Sequence, residues 1–220
     1  MENLTEMVFI LDRSGSMAGL EKDTIGGFNS LLEKQKKEKG EALVTTMLFD
    51  DDFTLVHDRQ PIHRVEPLTG KQYFVRGCTA LLDAIGLTIS HIKKARKERP
   101  KEERPDRTIV VITTDGMENS SRRYNYAKIK HKIEKCKKKN WEFLFLGANM
   151  DAIGEAAKFG IDADRAVRYE CDGEGTRKNY DVLGETITRA RGAELPCMMA
   201  QAIGTSWSKE IEQDYKKRHK

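Results

Sequence analysis

The feature that most constrains this chain is a pair of short runs with almost no polar side chain. Residues 7–11 (MVFIL) are apolar without a break, and residues 108–112 (TIVVI) are nearly so. A strand with one wet face alternates polar and apolar residues, so unbroken runs of this kind suit central parallel strands covered on both faces. Between and beyond them lie amphipathic stretches of helical period. Residues 24–39 place Ile25, Phe28, Leu31 and Leu32 on one stripe, with Asp23 or Thr24 as the expected cap and Gly40 as the stop. Residues 80–97 do the same with Leu81, Leu82, Ile85, Leu87, Ile89 and Ile92, and residues 126–139 with Ile129, Ile133 and Cys136, their lysines outward as a solvated face.

Residues 42–49, the acidic tip Asp50, Asp51 and Asp52, and residues 53–57 read as a hairpin whose second arm is an antiparallel edge strand, the aspartates forming a solvated turn. Residues 141–146 and 166–169 supply further strands, and residues 151–159 and 180–191 further helices. The alternation predicts an α/β class: a Rossmann-like, three-layer α/β/α arrangement with a mostly parallel central sheet of about six strands and one antiparallel edge strand.

A chain of 220 residues supports one well-buried core, assigned here to residues 1–191. Residues 192–220, with Pro196, paired methionines and a lysine-rich end, read as a C-terminal tail that is loosely packed or forms an interface. Charged residues make up 34% of the chain, but 39 basic residues against 35 acidic leave a net charge of only +4, too small a field to imply nucleic acid as a partner. No apolar run is long enough to cross a membrane, and residues 1–6 are polar where a signal peptide would be basic and apolar, so a cytoplasmic location is expected. Cys78, Cys136, Cys171 and Cys197 have no CxxC spacing, which fits reduced thiols.

The chemistry concentrates where the apolar strands end. Asp12, Ser14 and Ser16 follow the first strand, offering hard oxygens at alternate positions, and Gly15 lets the backbone curve so that they converge. Thr113, Thr114, Asp115 and Gly116 follow the second run, and Thr79 stands just before the helix at 80–97. In an open α/β sheet, ligands bind beyond the carboxyl ends of the strands, which is where all three segments point.

This set, in this order, resembles the metal-ion-dependent adhesion site (MIDAS) of von Willebrand factor A (vWA) domains, of the bacterial intracellular type, over about residues 7–191. The resemblance implies that Ser14, Ser16 and Thr79 bind a cation directly and that Asp12 and Asp115 hold it directly or through water. Mg²⁺ is the expected ion, with Mn²⁺ or Ca²⁺ as alternatives; Mg²⁺ wants six oxygens at about 2.0–2.1 Å and keeps several waters. With neutral hydroxyls as ligands the ion's charge is poorly offset, so a partner protein's Asp or Glu would complete the shell. Met17, Arg76, Met117, Glu118 and Asn119 would form the rim that the partner touches, with Glu118 placed to discourage an acidic one. The implied function is metal-dependent protein binding, with no nucleic-acid or membrane partner and with oligomeric state left open.

Enzyme motifs are missing. Ser14 lacks the glycine two residues before it that a GxSxG elbow needs, and it stands where a haloacid-dehalogenase-like phosphatase carries its second aspartate. No GxxxxGKS/T run occurs, and Gly173 and Gly175 read as a turn. The five histidines form no HExxH pair, so no catalytic residue is assigned. Two other readings are weighed against the binder: a metal-dependent hydrolase or phosphoesterase using the same cation, and a structural protein that oligomerises through its tail.

Overall fold

The computed structural model describes residues 4–219; residues 1–3, part of the polar start of the chain, and residue 220 lie outside the described residues. Six strands, β1 (Thr5–Asp12), β2 (Ala42–Phe49), β3 (Phe53–Pro61), β4 (Arg107–Thr114), β5 (Trp141–Ala148) and β6 (Ala166–Tyr169), form one sheet in the order β3-β2-β1-β4-β5-β6. All neighbours pair in parallel except β2 and β3, so the sheet is mostly parallel with one antiparallel edge, as the alternation predicts.

Alternate residues of β1 serve opposite faces, which is why its apolar run is continuous. Met7, Phe9 and Leu11 pack with Phe28, Leu31 and Leu32 of α1 (Glu21–Lys36) and with Leu183 and Ile187 of α5 (Gly173–Arg191). Val8 and Ile10 pack on the other side with Ile85, Ile89 and Ile92 of α2 (Leu81–Lys97) and Ile129 and Ile133 of α3 (Tyr126–Lys137). A short α4 (Ala152–Lys158) completes that second layer. The chain runs outward from β1 to β2 and β3, then returns to β4 on the other side of β1, so the winding reverses between β1 and β4. Loops leaving two such strands diverge and open a crevice at their carboxyl ends.

Several boundaries move from their expected places. Helix α1 begins at Glu21 rather than at residue 24, and its N-cap is Leu20 without a side-chain cap; Glu21 and Asp23 put negative charge in the first turn instead. The chain turns away at Gly40, whose φ is +87°. The second arm of the hairpin continues to Pro61, past a register shift near Thr46. Helix α5 begins at Gly173, seven residues early, because Asp172 caps it by accepting the Gly175 N–H at 2.7 Å. Gly173 and Gly175, read as a turn, are thus the first turn of a helix, and a Cβ on Gly175 would meet the Glu170 carbonyl at 2.2 Å.

The tail corrects the expectation of loose packing. It forms α6 (Met199–Ile203) and α7 (Lys209–Arg218), and Met199, Ile203, Trp207 and Ile211 are buried in the same apolar layer as Phe9 and Leu183. Polar ties hold it down: the Trp207 indole donates to Asp164 O at 2.8 Å, and the Arg165 guanidinium donates to Ala200 O at 2.9 Å and Gly204 O at 3.0 Å.

Candidate metal centre

Asp12 is the last residue of β1 and is buried. One carboxylate oxygen accepts the Ser14 N–H at 2.7 Å, and the other accepts the Thr114 hydroxyl from the end of β4. The Tyr73 hydroxyl donates to the Asp12 carbonyl at 2.5 Å. Burial pushes the Asp12 carboxyl up to about 6, against the hydrogen bonds from Thr114 and Ser14, which favour the charged form. The loop that follows is pinned by Arg13, which turns inward: its Nε donates to Asp50 Oδ2 at 2.8 Å, and its carbonyl accepts the Arg76 N–H at 2.9 Å.

Asp50 is therefore no solvated turn residue. It is fully buried, receives Arg13 and Arg76 on the same oxygen, and accepts the Ala80 N–H on its carbonyl at 2.9 Å. The β1 loop, the β2–β3 turn and the segment ahead of α2 are tied together through it. Asp51 and Asp52 are exposed.

With the loops fixed in this way, the hydroxyls meet. Ser14 Oγ and Ser16 Oγ lie 3.1 Å apart, Thr79 Oγ1 donates to Ser14 Oγ at 3.0 Å, and Ser16 Oγ donates to Asp115 Oδ1. Thr79 is itself held by Asn119, whose side-chain oxygen accepts the Thr79 N–H at 2.9 Å and whose N–H donates to the Thr79 carbonyl at 3.1 Å. Burial raises the Asp115 carboxyl above the ordinary carboxylate range. Gly116 leaves room beside the cluster: a Cβ there would stand 2.7 Å from Thr79 Oγ1 and 3.0 Å from Ser16 Oγ. All five sequence-derived site residues, Asp12, Ser14, Ser16, Thr79 and Asp115, are brought together by these contacts.

The rim residues fare unevenly. Met117 is 62% exposed, Asn119 is exposed with its amide on Thr79, and Arg76 is exposed while pairing with Asp50 and Asp52. Met17 is only 3% exposed and faces the interior. Glu118 turns from the rim onto the start of α2, where it accepts the Leu82, Ser120 and Ser121 N–H groups and the Ser121 hydroxyl at 2.8–3.0 Å. Its side chain is thus held against its own loop and the first turn of α2 rather than projecting freely from the rim.

Sequence reasoning named Thr114 without giving it a role, and assigned none to Tyr73, Arg13 or Cys171, the last donating to Asp115 Oδ2 at 3.5 Å. The role of Thr114 could have been found, since it adjoins Asp115; Cys171 carries no local signal. Among the described residues no group of three or more His, Cys, Asp or Glu side chains could hold a metal. The donor set is of another kind: two carboxylates and three neutral hydroxyls, all hard oxygens, which suits Mg²⁺ or Mn²⁺ rather than a soft ion.

No family model matches the sequence, and no curated protein does. Solved structures do match. One is proximal thread matrix protein 1 from the mussel byssus in a form with a zinc-occupied MIDAS motif, at 16% identity and a TM-score of 0.57 over 84% of this chain and 46% of that one. A second is a von Willebrand factor type A protein from Catenulispora acidiphila, at 14% identity and 0.54 over 84% of this chain and 42% of that one. This chain has a vWA-type fold. A D319A mutant of the PilB minor pilin from Streptococcus sanguinis also matches, at 12% identity and a TM-score of 0.55, over 90% of this chain and 63% of that one. The chain spans less than two thirds of each of these structures, and at such identities the likeness concerns the fold. Among the described residues no helix is long and apolar enough to cross a membrane.

Proposed function

We propose that this chain is a divalent-cation-dependent protein-binding module, with Mg²⁺ held at the carboxyl ends of β1 and β4 and an Asp or Glu of a partner protein completing its coordination. The observation that carries this reading is the row of three hydroxyls, Thr79 to Ser14 to Ser16, spaced 3.0 and 3.1 Å and flanked by two buried carboxylates. Hydroxyls serving the backbone as caps would not need to face one another across 65 residues of chain.

Ser14, Ser16 and Thr79 are the residues to ligate the ion. Both oxygens of Asp12 already accept hydrogen bonds, which suits it to act through water and through its charge. Asp115 is held in the same way by Ser16 and Cys171. When bound, the cation supplies a positive centre that neutral ligands leave incompletely offset, and this is what would attract a carboxylate from outside. Met117, Asn119 and Arg76 would frame that approach.

The test is capture of a partner with the purified chain in Mg²⁺, repeated with a chelator and with Asp12→Asn. Binding that needs Mg²⁺ and is lost in the variant supports the proposal. Binding indifferent to both overturns it, as would metal-dependent turnover of phosphoester substrates that Asp12→Asn abolishes.

A further inference from the structure

We infer that Cys171 is a positioning residue for this centre, its thiol orienting Asp115 through the carboxylate oxygen that Ser16 does not use. The inference rests on reading the cluster as a cation site. A carboxylate turns about its Cβ–Cγ bond, and one hydrogen bond leaves that rotation open. Asp115 has two, on opposite oxygens: Ser16 Oγ on Oδ1 and Cys171 Sγ, at 3.5 Å, on Oδ2. The pair fixes the plane of the carboxylate and with it the face turned toward Ser14 and Thr79.

The thiol is suited to this role. Its Sγ donates, and Asp115 Oδ2, an acceptor when the carboxyl is ionised, receives it. Cys171 thus ties the loop after β6 to the end of β4 beside the hydroxyl cluster. Its own loop is clamped on both sides by the end of α7: Arg218 pairs with Asp172 at 2.5 Å, and His219 with Glu170 at 2.6 Å. Asp172 is in addition the N-cap of α5. A loop held at the residues on both sides of Cys171 can place a hydrogen-bond donor with little slack.

Cys171 also packs against the apolar layer, so a purely space-filling role must be separated from a positioning one. The experiment is Mn²⁺ binding alone, followed by the loss of the free-ion electron paramagnetic resonance signal, for the full chain, Cys171→Ala and Cys171→Ser, with the melting midpoint of each as a folding control. Serine keeps a donor, on a shorter bond to Cβ, whereas alanine has none. The expected result is affinity about 10-fold or more weaker in Cys171→Ala, the scale on which residues behind metal ligands act, and measurably recovered in Cys171→Ser. Alanine within about twofold of the unmodified chain, or alanine and serine weakened alike, overturns the inference, the first falling below that range and the second being a packing effect. Absence of Mn²⁺ binding by the unmodified chain overturns the cation-site reading itself, and this inference with it.

Discussion

Replacing Trp207 by alanine tests whether the C-terminal segment belongs to the core. Trp207 is 4% exposed, lies in the apolar layer with Leu31, Tyr180 and Ile211, and donates its indole N–H to Asp164 O. A buried tryptophan removes about 150–250 Å² from water, worth about 4–6 kcal/mol at about 25 cal/mol per Å². That is an upper bound, because unfolded chains already bury some of this surface, and measured Trp→Ala losses in cores run about 3–5 kcal/mol. With a urea slope of about 2–3 kcal/mol per molar, the unfolding midpoint should fall by about 1–2 M. Leu195→Ala, at a position 55% exposed in the same segment, is the control and should move stability by less than about 0.5 kcal/mol. Urea titration followed by far-ultraviolet circular dichroism reads both. A Trp207→Ala midpoint no lower than that of the control would refute the reasoning, since it would mean that the segment contributes nothing to the fold.

Two other substitutions probe the site and the sheet. Gly116→Ala should weaken Mn²⁺ binding by about 10-fold or more, because its Cβ would press on Thr79 Oγ1 and Ser16 Oγ, and forced overpacking typically costs about 1–3 kcal/mol; a titration showing unchanged affinity would contradict the cluster's geometry. His57 sits inside the β2–β3 hairpin, with Nδ1 at 2.9 Å from Thr46 Oγ1 and Nε2 at 3.0 Å from Glu66 O, and burial holds it below the ordinary imidazole value. The unfolded chain therefore takes up this proton first. The stability His57 contributes is complete above about pH 6.5 and is lost as pH falls from there through the lower folded value. Urea midpoints between pH 7.5 and 5 should decline less steeply in His57→Gln than in the unmodified chain; parallel declines would refute it.

What could be read from the residues was whatever short-range pattern expresses. The unbroken run at 7–11 marked a strand covered on both faces, and Asp12, Ser14 and Ser16 had to follow it closely to share one loop. Patterns that depend on distant partners were harder to see. Asp50 looked like one of three solvated aspartates because nothing near it in sequence reveals Arg13 and Arg76, which bury it. Glu118 sits beside Asp115 in the chain, yet its fate was decided by the unsatisfied N–H groups of α2, 36 residues away from it at Leu82. Met199, Ile203, Trp207 and Ile211 recur at every fourth position, a stripe that was legible but is interrupted at Gly204, where the chain leaves α6 with φ +73°. Gly173 and Gly175 hid the start of α5, whose first turn depends on the Asp172 cap and on contact too close for a side chain.

The most direct measurement is a calorimetric titration of Mg²⁺ into the unmodified chain and into Asp12→Asn. Asparagine is preferred to alanine because Asp12 is buried against Ser14 N and Thr114 Oγ1, and an amide of the same shape removes the charge while filling the space. Saturable binding of one ion per chain, abolished in the variant while its melting midpoint without metal stays within a few degrees, is the predicted result. No Mg²⁺ or Mn²⁺ uptake by the unmodified chain, or equal uptake by both, would contradict the assignment of the hydroxyl cluster as a cation site.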